Sequence, residues 1–242
     1  MPLSPGRAAL LPASTLPLVY FAGAHVAFAV ACALLIGAPD LPGAFHYHPR
    51  SIALVHLITL GWISASILGA FYIVAPLALG MPFTAGAADA WACAAFWVGT
   101  AGMVIGFWRA DYAVVGVASV GVLAALGAVA TRAVSGLRRA RLPLGVSLHV
   151  AFAFANVLGA GSFGLVVAYG KVTGAFAWSP LALAAAHAHL AVIGWGVMMI
   201  VGVSYRLVPM FLPAAMPVGR GLVWSALLLE AGTLWLAYAL LH

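Results

Sequence analysis

The sequence predicts an all-α protein, a polytopic membrane bundle of seven transmembrane helices in which helices one and two recur as helices five and six. Three observations carry that reading. Charged residues make up only 6% of the 242 residues and hydrophobic ones 66%. A soluble domain carries about 25% charged residues, so this surface needs lipid as its solvent. Seven segments are long and apolar enough to span, since a crossing helix needs roughly 20 mostly apolar residues. Two pairs of these segments also match one another in register. The chain reads as one membrane domain over residues 1–242, with repeat one at about 17–133 and repeat two at about 145–241.

The spans fall at roughly 17–38, 51–79, 88–108, 112–133, 145–168, 180–205 and 221–241. Helix-breaking or charged residues separate them. Pro39, Pro42 and Pro49 follow the first span, and Pro76 and Pro82 end the second. Arg109 and Asp111 part the third from the fourth, and Arg138, Arg139, Arg141 and Pro143 part the fourth from the fifth. Gly170, Lys171 and Gly174 form the fifth connection, and Pro209, Pro213 and Pro217 close the sixth span. The Pro/Ser-rich stretch from Met1 to Pro17 does not read as a cleavable signal peptide. Cys32 and Cys93 stand alone in apolar segments and read as packing residues.

The formal net charge is +6. The basic residues lie in short connections, where they set topology and do not mark nucleic-acid binding. With the N-terminus cytoplasmic, Arg7, Arg132, Arg138, Arg139, Arg141, Arg206 and Arg220 lie inside, against Arg50, Arg109 and Lys171 outside. The expected setting is therefore a bacterial-type inner membrane, N-terminus inside and C-terminus outside, with His46 and His48 in the first outer loop.

Without gaps, His56–Pro76 and His189–Pro209 share His56/His189, Leu57/Leu190, Gly61/Gly194, Trp62/Trp195, Ile67/Ile200, Gly69/Gly202, Tyr72/Tyr205 and Pro76/Pro209. His25–Gly37 matches His149–Gly161 through His25/His149, the Val-Ala-Phe-Ala that follows, Ala31/Ala155, Leu34/Leu158 and Gly37/Gly161. Paired helices cross in the same sense, so the duplication is parallel, about an axis along the membrane normal. Equivalent residues should share a depth. His56 lies six residues after Arg50, roughly 9 Å in, and His189 nine residues after Pro180, roughly 13 Å in. His25 and His149 form a second pair, expected roughly 18 Å deep.

An ionisable side chain in hydrocarbon is costly and is read first as functional. The bland alternative is a neutral imidazole bonded to a neighbouring carbonyl. Two imidazoles at one depth, facing across an axis, suit the axial positions of a haem, and this favours His56 and His189 as ligands. His187 has no counterpart, since Leu54 stands at the matching position. It lies roughly 200° around the helix from His189 and would serve another site. His25 and His149 could hold a further haem or metal, or simply hydrogen-bond. Glu230 is the one acid well inside a span, a candidate for a proton path. Met198, Met199, Met210 and Met216 with His46 and His48 could handle copper, although methionine in apolar helices is usually filler.

The segments HPRSIALVHLITLGWISASILGAFYIVAP and AHAHLAVIGWGVMMIVGVSYRLVPMF resemble helices of the subunit I superfamily of haem-copper oxidases and nitric oxide reductases, and particularly its small relatives. The resemblance implies that His56 and His189 hold a low-spin b-type haem and that His187 holds a second one. It also implies a bundle built of four-helix arcs, here one arc of four helices plus one of three. The family's copper site takes an adjacent His-His pair on the middle helices, and this sequence has none. The expected function is a haem-binding membrane protein in electron transfer or in binding or reducing a small gas, NO or O2. If enzymatic, it is a haem-dependent oxidoreductase. Expected partners are the bilayer, an electron-donor protein and a second copy of the chain. The alternatives are a copper- or metal-handling membrane protein and a cofactor-free assembly partner of a respiratory oxidase.

Overall fold

The computed structural model describes residues 15–175 and 178–242; Arg7 and most of the Pro/Ser-rich N-terminal stretch lie outside them. Among the described residues the protein is helical without strands, and seven helices are long and apolar enough to cross a membrane. They are α1 (Leu16–Gly37), α2 (Pro49–Leu77), α3 (Ala87–Trp108), α4 (Tyr112–Arg139), α5 (Leu144–Thr173), α6 (Pro180–Phe211) and α7 (Arg220–Leu241). The side on which α1 begins is called the entry face below, and the side on which it ends the far face.

Local chemistry sets the ends. Pro49 and Pro180 open α2 and α6 at the first helical position, where a missing N–H costs nothing. The Asp111 side chain caps α4 by accepting from Val114 N at 3.1 Å. Three helices run further than the sequence suggests. α5 passes through Gly170 and Lys171 because its stop is Gly174, at φ 76°, where only glycine is unstrained. α4 continues to Arg139 because basic residues suit a helix C-terminus. α6 runs through Pro209 and α2 through Pro76, each proline lying in the last turn and breaking only the local ladder.

Both α2 and α6 contain a π-helical segment, Leu57–Ser64 and Leu190–Val197. The first begins at the residue after His56 and the second at the residue after His189. Ala65 N–H reaches back to Leu60 O, and Met198 N–H to Ile193 O, five residues in each case. Such wide turns are rare in helices and concentrate at functional sites.

The helices pack in chain order, α1 on α2, α2 on α3, α3 on α4 and α4 on α5, with α6 and α7 both against α5. Glycines let the backbones close. A Cβ at Gly61 would lie 2.8 Å from Ala27 Cβ, and one at Gly69 3.1 Å from Tyr20 Cβ. At the matching positions of α6, a Cβ at Gly194 would meet Asn156 Cγ at 2.5 Å, and one at Gly202 would meet His149 Cβ at 2.4 Å. α2 and α6 run side by side in the same direction. Trp195 Nε1 donates to Ser64 Oγ at 3.1 Å, joining the two π segments, and Arg206 Nε donates to Ala78 O at 3.3 Å nearer the entry face. Between these two bonds lies an apolar cleft lined by Ile67, Phe71, Val74, Met199, Val203 and Leu207.

The one buried ion pair among the described residues sits at the entry end of α3 and α4. Asp89 is buried, 2.9 Å from Arg132 Nε, and also accepts from Tyr72 OH at 2.8 Å and from Gly86 N at 2.7 Å. Arg132 also donates to Thr84 O. Both oxygens of this carboxylate have partners, one of them a cation, the condition under which a buried charge is tolerable.

Candidate functional site

The histidines of α2 and α6 lie toward the far face, seven residues into α2 and seven and nine into α6. His56 Nδ1 bonds Ile52 O at 2.9 Å and His189 Nδ1 bonds Ala185 O at 2.7 Å, each the carbonyl four residues earlier on the same helix. His187 Nδ1 bonds Ala160 O of α5 at 2.7 Å. A carbonyl only accepts, so Nδ1 is the donor in all three. A neutral ring then keeps its lone pair on Nε2, the arrangement found where imidazole ligates a metal.

Of these three rings the structure joins His56 and His187, with centroids 5.9 Å apart and planes 24° from parallel. Phe107 of α3 lies on His56 at 4.8 Å. Gly164 of α5 leaves space for His187, since a Cβ there would lie 3.2 Å from His187 Cε1. His189 makes no ring contact with His56 among the described residues. The Ala160 carbonyl holds the His187 ring against α5, and His189, two residues on, stands roughly 200° around α6 from it.

His25 and His149 are not equivalent in space. His25 is exposed on α1 and bonds only Phe21 O, at 2.7 Å. His149 is fully buried and saturated, with Nδ1 on Gly145 O at 2.7 Å and Nε2 3.3 Å from Ser225 Oγ, which in turn accepts from Tyr205 OH at 3.0 Å. His149 stands only five residues into its helix and His25 nine. Across from the matching glycines of α2 and α6, the residue that occupies the place of His149 is Tyr20. The alignment followed the shared apolar run, whereas helix packing follows the glycines. His149 belongs to a hydrogen-bond network linking α5, α6 and α7, and its lone pair is already used.

His46 and His48 are exposed in the first far-face connection, and His48 Nδ1 accepts from Arg50 N at 3.3 Å as the helix cap of α2. No group of three or more His, Cys, Asp or Glu that could enclose a metal ion occurs among the described residues. Around the far-face mouth, Lys171 Nζ lies 4.9 Å from the Tyr47 ring and 5.6 Å from the Tyr112 ring, and Arg50 lies 5.4 Å from the Trp108 ring. Tyr47 OH donates to Pro180 O at 3.5 Å, tying the first connection to the start of α6. Burial there pushes the Tyr47 phenol above its usual range, with Tyr112 adding to the effect.

Sequence reasoning did not find Phe107, Asn156 or the Asp89–Arg132 pair. Asn156 and Asp89 did carry a signal, a polar residue in an otherwise apolar stretch. Phe107 carried none, because an aromatic residue in a span is ordinary. Compared with protein-family models, curated proteins and solved structures, the chain matches none.

Proposed function

We propose that this is a haem-binding integral membrane protein of the type the sequence resembles, acting in one-electron transfer or in binding a small gas. The observation that carries the reading is the set of Nδ1-to-carbonyl bonds at His56, His187 and His189, which leaves three uncommitted Nε2 lone pairs toward one end of the bundle. The residues present suit the group in donor chemistry. A b-type haem bound there supplies one-electron exchange, or an iron site for NO or O2. His56 would hold the group together with His189, by the duplicated pattern, or His187, by ring proximity, and the third imidazole would serve a second site. Phe107 lies on the His56 ring, and the carbonyl bonds fix the tautomer. We also infer that α1–α2 and α5–α6 are a parallel duplication. The π segments placed directly after His56 and His189, and the glycine contacts eight residues apart on α2 and α6, support it. The excess of arginine at the entry face favours a cytoplasmic entry face.

The deciding measurement is an absorption spectrum of the purified protein. A Soret band with a b-type pyridine haemochrome is expected, and a colourless preparation would end this reading. His56→Ala should abolish the low-spin haem spectrum and His46→Ala should keep it. Between the remaining two, the variant that loses the low-spin spectrum identifies the second ligand. If His187→Ala and His189→Ala both leave every haem spectrum unchanged, neither imidazole of α6 is a ligand.

A further inference from the structure

Glu230 lies ten residues from the start of α7 and eleven from its end, about 15 Å from either face. Its Oε2 accepts from Asn156 Nδ2 at 2.6 Å, and the other Nδ2 hydrogen goes to Phe152 O at 2.9 Å. The Phe152 carbonyl fixes the amide, because turning it over would set oxygen against oxygen. Asn156 is itself buried, at 3% exposure, and packs against Gly194 in the π segment of α6.

Among the described residues, the surroundings offer Glu230 no cation. On α5, His149 lies toward the entry face and is bonded to Ser225, and Lys171 sits among the aromatic rings of the far face. On α6, His187 and His189 lie on the far side of Gly194, while Tyr205 and Arg206 lie on its entry side. On α7 itself, Arg220, Tyr238 and His242 stand near the helix ends. Among the described residues the one ion pair is Arg132 with Asp89, elsewhere in the bundle. A carboxylate with one amide bond and no countercharge in hydrocarbon is far costlier than a neutral carboxyl.

We propose that Glu230 and Asn156 form a proton-binding site in the hydrocarbon core, beside the helix that carries His187 and His189. The carboxyl binds and releases one proton from the aqueous phase at a carboxylate oxygen, and no other bond is made or broken. Asn156 is a positioning residue that holds the carboxyl against α6. His189 is five residues from Gly194, about 7 Å along the axis. A positive charge gained at the α6 histidines therefore favours the carboxylate, and its loss returns the proton. That coupling, with the electron supplied by a one-electron donor, rests on the haem reading; the proton site does not.

The test is infrared spectroscopy of the full chain in phosphatidylcholine vesicles, reduced with dithionite. A protonated-carboxyl C=O band is expected, absent in Glu230→Gln and shifted in Asn156→Ala. If no band sensitive to Glu230→Gln appears at acidic or neutral pH, the proposal is wrong. In a haem-loaded sample the midpoint potential should fall as pH rises, and Glu230→Gln should flatten that slope; an identical slope in both would overturn the coupling. A colourless sample that still loses the band in Glu230→Gln sinks the haem reading and upholds the proton site.

Discussion

His25, His56, His149, His187 and His189 each give Nδ1 to a main-chain carbonyl, so the five differ only in what remains for Nε2. At His149 it is spent on Ser225. The depths of His56, His187 and His189 were legible in the sequence because they are counted from the prolines that open α2 and α6, whereas the depth of His149 was not, because α5 runs on to Thr173. Ring pairing was not, because it turns on one carbonyl of another helix, Ala160. The glycines give a sharper check at this scale. Gly202→Ala would add a Cβ 2.4 Å from His149 Cβ, between two backbones that cannot move apart without separating α5 from α6. Overpacking of this kind costs about 1–3 kcal/mol, more than the ~1 kcal/mol of helix propensity that alanine returns. Thermal unfolding in detergent should therefore begin earlier for Gly202→Ala. Gly232→Ala, with nothing within 4 Å of its Cβ, should unfold at or slightly above the parent temperature.

Elements show where sequence reading succeeds and where it stops. All seven spans were legible, because an unbroken apolar run of this length has no other use. The extra turns of α4, α5 and α6 were not, because proline and glycine stop a helix only where the backbone actually leaves it. The π segments left no mark in composition, since they are made of the same residues as the helices around them. Their contact can be tested. Ser64→Ala removes the acceptor of the buried Trp195 indole N–H, and an unsatisfied buried donor costs about 1–3 kcal/mol. Adding Trp195→Phe should recover part of that loss, because both partners are then apolar. Removal of Arg132 strands the Asp89 carboxylate at the entry end of α3. Breaking a buried pair typically costs about 3–5 kcal/mol. Arg132 keeps 35% of its side chain exposed, so Arg132→Ala should fall at the lower end, yet well beyond Arg138→Ala on the same helix.

For the whole molecule, the bundle has two unlike ends. Arg138, Arg139, Arg141 and Arg220 crowd the entry face with Asp89 already paired to Arg132, and the far face carries aromatic rings around Lys171 and Arg50. Exposed Trp91 and Trp224 near the entry face and Trp235 and Tyr238 toward the far face are the interfacial anchors expected of a spanning protein. In sealed vesicles, Asp40→Cys and Ala140→Cys should react with an impermeant maleimide from opposite sides, the native Cys32 and Cys93 staying silent within their spans; labelling of both from one side would contradict the seven-span path. The wide turns carry a further meaning in terms of phase. Each shifts everything on its far side by a fraction of a turn relative to everything on its entry side, so each histidine is aimed independently of the packing below it. Inserting one residue within Leu57–Ser64, with the wide turns kept, would swing His56 by about 100°, while Gly69 and Tyr72 kept their contacts. Such a variant should fold and insert yet lose whatever His56 holds, a separation of aim from assembly that no point substitution at the histidine could reveal.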